Sequence, residues 1–362
     1  MRRTIRTLLL GLVSAVALSS AGTAFAAYTT PKLLVTDAQT SVTINYTQDA
    51  NDDPTAKLTF YAPTEYSASL TQPAGQTIGT VTAQGTAADL GGALLPLTGT
   101  VQVRAANGTY LSGTTQVPIA AAATQCTGTA THTAYWVLIL QAAGQTLELP
   151  VFVDQVTAPP NNAFASASIQ ACLPPPDLPP GTPGRATFGF KLTKVDFKVS
   201  GVFSGGATSG QPRWRLLATP YNPGRGTPNA AGSVEAQSVV GFPRSVTLRK
   251  PAVKAVRGFV TLRIGGAANL PAGAAATLRL YRGAKSASAA SIVLRTSGSA
   301  YSGSLRIRQT AKAQVVFLQV RATVAAGTVP CTPTFGLPCL SATRAAIATR
   351  SGTVRIVIPK RK

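Results

Sequence analysis

Residues 134–156 have the sequence AYWVLILQAAGQTLELPVFVDQV, and this segment is the strongest indicator of the fold class. Its two apolar runs, Ala134–Gln141 and Leu147–Val156, have the length and the β-branched and aromatic content that are typical of strands. Ala143-Gly144 lies between the runs and supplies a turn residue. The stretch therefore predicts a β-hairpin.

Similar segments recur along the chain, and most of them alternate apolar and polar residues with a period of two. Clusters of Gly, Pro, Ser and Asn separate the segments, and no run of ten or more residues has a convincing helical pattern. The predicted fold class is therefore all-β. Outside the hairpin, we expect strands at 41–46, 56–62, 77–83, 214–221, 234–240, 256–264, 277–281, 292–296, 301–307, 313–324, 345–349 and 354–358.

Residues 1–26 have the pattern of a secretory signal peptide. Three arginines in the first six residues precede the apolar run from Leu8 to Leu18, and Ala24-Phe25-Ala26 fits a small-x-small cleavage site. No later stretch reaches the roughly 18 apolar residues that a membrane-spanning helix needs. We expect a secreted, extracellular or cell-surface protein without a transmembrane segment after cleavage.

The remaining chain, about 336 residues, suggests two domains at roughly 150 residues per domain. The first, residues 27–245, contains the Pro-rich segment 173–184, which cannot join a sheet ladder because proline lacks an N–H donor. A change of apolar parity predicts a bulge or tight turn near Thr193-Lys194. We assign 185–245 to the first domain, with a separate small unit as the alternative. The second domain is 246–362.

Four cysteines in an exported chain predict two disulfides. Three pairings are open, and the most economical one joins Cys126 to Cys172 and Cys331 to Cys339. The first bond would close a loop of 46 residues, and the second would hold a short loop tip. No CxxC spacing occurs, which argues against a thiol-redox site.

Seven short strands between residues 253 and 359 resemble the modules of bacterial secreted Ig-like surface proteins. The resemblance is carried by strand rhythm and by phrases such as GAAATLRLYRG, residues 273–283. We expect two β-sandwich-type domains, and the strand rhythm indicates that the C-terminal one is Ig-like. Such modules bind, space or display, and no functional residue is carried over.

The charge distribution is the most informative feature of the sequence. All 11 acidic residues lie at or before Glu235, whereas residues 236–362 hold 14 Arg, 6 Lys and no acid, a formal charge of +20. Residues 28–180 hold three basic and nine acidic residues, a charge of −6. The basic part would attract polyanions and speed their encounter with the protein.

Seven arginines of the predicted strands fall opposite the apolar parity, and we expect them to point to solvent as a polyanion-binding set. Arginine suits phosphate and carboxylate because its planar fork donates two parallel hydrogen bonds. The alternative is that basic charge only maintains solubility. Whether the set forms one patch is open, because a sandwich has two outer faces. The seven are Arg263, Arg279, Arg295, Arg306, Arg308, Arg321 and Arg355.

Other candidate sites are weaker. Asp49, Asp52 and Asp53 offer oxygen ligands for calcium, but Asp and Asn are also ordinary turn residues. His132, the single histidine, would need a nucleophile and an orienting acid nearby. Glu148 and Asp154 lie about 20 Å apart on one strand, too far for a glycosidase pair. We expect no catalytic residue, no cofactor and no metal.

The sequence thus predicts a non-enzymatic structural or adhesion-type protein. Its expected partner is an anionic cell-envelope polymer or an acidic polysaccharide, bound by the basic C-terminal domain. Specific nucleic-acid binding is not expected, because exposed aromatics do not alternate with the basic residues. Salt-dependent self-association of basic and acidic halves is a further expectation. The alternative function is carbohydrate binding by aromatics of the N-terminal domain, namely Tyr135, Trp136, Trp214 and Tyr221.

Overall fold

The computed structural model describes Tyr28 and residues 31–142, 144–206, 211–241, 245–270, 274–283, 287–297, 299–331 and 340–361. The predicted signal peptide lies outside these residues. So does Cys339, and with it the predicted pair Cys331–Cys339. The Cys126–Cys172 disulfide is present, with 5.7 Å between the two Cα atoms.

The fold is all-β, as the sequence predicts. One α-helix, α1 (Ile119–Thr127), and short 3₁₀ turns at Ala88–Leu90, Asn161–Ala163, Thr187–Gly189 and Ala230–Gly232 interrupt the strands of the described residues. The strands up to residue 239 are β1 (Lys32–Asp37), β2 (Ser41–Thr47), β3 (Thr55–Pro63), β4 (Tyr66–Ala68), β5 (Thr77–Ala87), β6 (Ala93–Arg104), β7 (Thr109–Ser112), β8 (Thr115–Pro118), β9 (Ala134–Ala142), β10 (Gln145–Gln155), β11 (Ala165–Cys172), β12 (Phe190–Ser200), β13 (Phe203–Gly205), β14 (Arg213–Pro220) and β15 (Val234–Val239).

The remaining strands belong to the basic part of the chain. They are β16 (Thr247–Leu248), β17 (Ala252–Val256), β18 (Phe259–Ala267), β19 (Ala275–Tyr281), β20 (Ser288–Ser297), β21 (Ala300–Arg308), β22 (Gln314–Val324), β23 (Gly327–Val329), β24 (Ala342–Arg344), β25 (Ile347–Arg350) and β26 (Val354–Ile358).

The first unit is a sheet in the order β1-β2-β12-β5-β6-β9-β10-β11-β3-β14-β15-β24-β23. The sheet curls until β1 meets β15, where the Val35 amide donates to Ser238 Oγ at 2.9 Å. Thr343 on β24 closes the same seam by donating its hydroxyl to the Leu33 carbonyl. The curl encloses a core whose largest members include Trp136 and Trp214.

The predicted hairpin forms from β9 and β10, and its apolar run is continuous because both faces are covered. One face lies in the core of the curled sheet, and α1 packs on the other through Ile119 and Ala123 against Tyr135 and Val137. The disulfide then ties the end of α1 to the end of β11.

The predicted bulge in β12 is confirmed, because the register of β12 against β5 shifts between Leu192 and Lys194. β12 itself lies between β2 and β5. The single strand expected over 256–264 is wrong at its start. Arg257 and Gly258 have φ of 43° and 80° and form the two-residue turn between β17 and β18, a geometry in which positive φ at both positions matches the strand twist.

The second unit consists of β16–β22, β25 and β26 around a separate core that includes Leu262, Leu278 and Leu318. Its two layers share β20, which pairs with β19 along most of its length and with β21 at its end. β23 and β24 leave this unit and pair at the edge of the first sheet, where β24 is parallel to β15 at Ser238 and Thr343.

Candidate anion-binding surface

Strand register sorts the predicted arginines onto two faces of the second unit. On the first, made by β17, β18, β21 and the end of β20, Arg263 lies opposite Ser304 and Arg306 opposite Thr261. Leu262 and Ile264, the chain neighbours of Arg263, are buried, so this face is the outer one. The cations of this first basic face are Lys254, Arg263, Arg295, Arg306 and Arg308.

The second basic face is the outer face of β19, β22, β25 and β26. Arg321 lies opposite Thr277 of β19 on one side and opposite Arg350 of β25 on the other. Arg355 of β26 lies opposite Phe317. The cations of this face are Arg279, Arg321, Arg350 and Arg355. The seven predicted arginines therefore form two patches, because the two layers turn their outer faces away from a common core.

Two cations of these faces were missed by the sequence analysis. Lys254 belongs to β17, a strand that was not predicted separately from β18, and it lies opposite Thr261 of β18. Arg350 follows the predicted strand 345–349 by one residue and is in fact the last residue of β25. Strand parity could have indicated Arg350, but its cross-strand partner depends on a register that the local sequence does not contain.

The second unit has no acidic side chain to pair with these cations, since no Asp or Glu follows Glu235. In the described residues, every side-chain ion pair lies in the first unit. The pairs are Arg104–Glu148, Arg185–Asp89, Lys194–Asp196 and Arg215–Glu235. The first unit thus neutralises much of its charge locally, and the positive field of the second unit is uncompensated.

One guanidinium of the first basic face is held in place by an aromatic ring. The Arg306 guanidinium carbon lies 4.0 Å from the centroid of the Phe259 ring, a cation–π contact that fixes the side chain without using its hydrogen-bond donors. Those donors stay available to an anion. Small neighbours, Ser302, Ser304 and Gly265, leave open surface between the arginines.

The acidic turn at residues 49–53, considered as a calcium site, binds the ammonium group of Lys191. Lys191 Nζ donates to the Ala50 carbonyl at 2.8 Å and also to the Asp52 carbonyl. Burial lowers the pKa of Lys191, opposed by the nearby carboxylates of Asp52 and Asp53. Among the described residues, no group of three or more His, Cys, Asp or Glu is arranged to hold a metal ion.

His132 lies between the Asp154 carboxylate and the Thr127 hydroxyl. Its Nδ1 lies 2.7 Å from Asp154 Oδ2, and its Nε2 lies 2.8 Å from Thr127 Oγ1. The imidazole is almost wholly buried, with 1% of the side chain exposed, and stacks on Phe152. The Thr127 hydroxyl also lies 2.9 Å from the Ala123 carbonyl. This constellation joins the end of α1 to β10, and its imidazole is not accessible to a substrate.

The aromatic residues considered for a sugar platform lie inside the first unit. Trp136 and Trp214 are fully buried, and Tyr135 and Tyr221 are nearly so. Tyr66 and Phe203 pack edge-on against Trp214, which is a core arrangement. These four side chains therefore present no exposed ring for stacking on a sugar.

A cleft of about 340 Å³ lies between β1 and the 345–349 segment. Its one acidic residue, Asp37, accepts a hydrogen bond from the Tyr66 hydroxyl at 2.8 Å. The lining is otherwise uncharged, so the cleft brings together no set of reactive groups. Within the described part of the chain, no helix is both long and apolar enough to cross a membrane.

Comparison with family models and with curated proteins finds no match for this chain.

Proposed function

We propose that this protein is exported, acts without catalysis at the cell surface or in the surrounding matrix, and binds anionic polymers through the two basic faces of its second unit. The observation that carries the proposal is that nine cations lie on outer faces of a unit whose sequence contains no Asp or Glu. An anionic wall polymer or acidic polysaccharide would supply the missing counter-charge, with arginine forks donating to its phosphate or carboxylate groups.

The alternative of head-to-tail self-association gains no support from the first unit. Four of its carboxylates are already paired with Lys or Arg of the same unit, and Asp154, Asp37 and Asp177 form hydrogen bonds with His132, Tyr66 and the Gly224 amide. The proposal therefore concerns an external polyanion.

The test uses the full mature chain and isolated cell envelope. We expect retention at low ionic strength and progressive release as salt rises, because screening weakens contacts between exposed charges. The variant Arg263→Gln/Arg295→Gln/Arg308→Gln should bind at least about tenfold more weakly, since each removed charge-assisted hydrogen bond is worth roughly 1.5–3 kcal/mol.

The matched control is Lys32→Gln/Lys198→Gln/Arg225→Gln, which removes three exposed cations of the first unit. It lowers the net charge equally and should leave retention nearly unchanged. Absence of retention at low salt, or an equal loss in both variants, would refute the proposal.

A further inference from the structure

Two arginines of the second basic face oppose each other directly. Arg321 of β22 and Arg350 of β25 are cross-strand partners in the antiparallel register. Directly opposed residues on one face have Cβ atoms about 4.5–5.5 Å apart, and like charges in this position destabilise a sheet. An anion that binds between the two guanidinium groups would offset their repulsion and stabilise the pair.

A third guanidinium belongs to the same cluster. Thr277 is the β19 partner of Arg321, so Arg279 is its diagonal neighbour, at a typical distance of about 7–8 Å. Arg279, Arg321 and Arg350 thus occupy three adjacent strands. None of the three side chains forms an ion pair or hydrogen bond with another described residue.

A bulge in the edge strand aims Arg350 at this cluster. Leu318 pairs with Val354 and Arg321 with Arg350, so two residues of β22 face three residues, 351–353, between β25 and β26. Ser351 fills the gap, because its Oγ accepts a hydrogen bond from the Val320 amide at 3.0 Å. Without the extra residue, Arg350 would turn to the opposite face, since side chains alternate along a strand.

We propose that Arg279, Arg321 and Arg350 form a discrete site for a phosphate group, an inference that rests on the proposed function and names the ligand chemistry of one basic face. A phosphate offers more acceptor oxygens than a carboxylate and carries up to two negative charges. It can accept from guanidinium groups of three strands, whereas a carboxylate, with two oxygens, matches one arginine fork.

The experiment measures binding of linear polyphosphate and of inorganic phosphate to the full mature chain by calorimetric titration at low salt. Arg321→Gln and Arg350→Gln should each weaken polyphosphate binding about tenfold, as loss of one charge-assisted contact predicts. The matched controls are Lys198→Gln and Arg225→Gln, exposed cations of the first unit that lie on neither basic face. Both controls should change affinity less than about twofold.

A second readout does not depend on a polymer. Without phosphate, Arg350→Gln should unfold at a higher temperature than the parent chain, because it removes the like-charge contact with Arg321. Phosphate added at constant ionic strength should raise the unfolding temperature of the parent but not that of the variant. Polyphosphate bound more tightly per phosphate than the free anion assigns the site to a polymer, whereas equal affinities assign it to the free anion.

The site is refuted if polyphosphate binding falls equally in all four single variants, or if polygalacturonate, a carboxylate polymer, binds as tightly as polyphosphate and suffers the same losses. In either case retention on cell envelope remains a separate measurement, so the proposed function can stand as diffuse electrostatic binding. Loss of envelope retention with an intact phosphate response would refute binding to the envelope and leave the phosphate site in place.

Discussion

Single phenol groups connect distant parts of both units. The Tyr221 hydroxyl donates to the Leu173 carbonyl at 2.5 Å, at the start of the Pro-rich segment, and the Tyr301 hydroxyl donates to the Thr247 carbonyl. The contact at Tyr301 also explains Gly266, because a Cβ at that position would lie 2.2 Å from the Tyr301 hydroxyl oxygen and 1.9 Å from the Thr247 carbonyl oxygen.

The ionisation of these two phenols provides a test at the scale of the residue. Burial raises the pKa of Tyr221 and of Tyr301 to about 12, with Asp177 adding to the effect at Tyr221. Unfolded tyrosines ionise near pH 10. Stability that depends on the neutral phenols is therefore complete below about pH 10 and is lost as the pH rises towards 12.

Absorbance titration of the folded chain should show a phase near pH 12 from these two phenols, and Tyr301→Phe should remove part of that phase. The urea-unfolded chain is the control and should titrate uniformly near pH 10. A folded chain in which all nine tyrosines ionise together near pH 10 would contradict the assignment.

At the scale of the element, α1 depends on its contacts with the sheet. It has nine residues, and no side chain caps its N-terminus, so its own propensity is too weak to keep it folded. Three contacts hold it: the packing of Ile119 and Ala123 on the hairpin, the Thr127–His132 hydrogen bond, and the disulfide from Cys126 to Cys172.

Replacing both Cys126 and Cys172 by Ser should lower the free energy of unfolding by about 4 kcal/mol, the chain-entropy value for a closed loop of this length. Chemical denaturation of the parent and variant chains measures the difference. The control is His132→Asn, which breaks the side-chain link but keeps the disulfide and should cost less. An unchanged midpoint in the double variant would show that the bond does not constrain the unfolded chain.

Local pattern was sufficient for the strands that alternate and insufficient for what depends on distant partners. β2, β3, β14 and β22 lie where alternation predicts them, and β9 lies where its apolar run predicts it. α1 was missed because an Ala-rich run of nine residues is stabilised mainly by the hairpin beneath it. The opposition of Arg321 and Arg350 was invisible for a similar reason: it follows from a register that the bulge at Ser351 sets.

At the scale of the whole molecule, charge separates the two units more sharply than fold does. In the first unit, acidic side chains lie beside basic ones. In the second unit, the cationic side chains repel one another because no acidic side chain is present. Self-repulsion of this kind destabilises a compact state and is weakened by salt, since the screening length falls from about 30 Å at 0.01 M to about 10 Å at 0.1 M.

We therefore expect the unfolding temperature of the protein to rise by a few degrees when sodium chloride is increased across this range. Differential scanning calorimetry measures the change. In the variant Arg263→Gln/Arg295→Gln/Arg308→Gln the rise should be smaller. A fall in unfolding temperature with added salt would show that the ion pairs of the first unit outweigh the repulsion in the second.

β23 and β24 follow the first seven strands of the second unit in sequence but pair with the first sheet, and this pairing limits how the protein can evolve. A gene break near codon 245 would leave the first sheet without the Thr343 hydroxyl that closes its seam at Leu33, and would leave residues 327–344 of the separated part without the sheet edge on which they pair. We therefore do not expect recombination to transfer one unit to another protein without the other. They should be inherited as one block, with substitutions at Ser238 and Thr343 selected together.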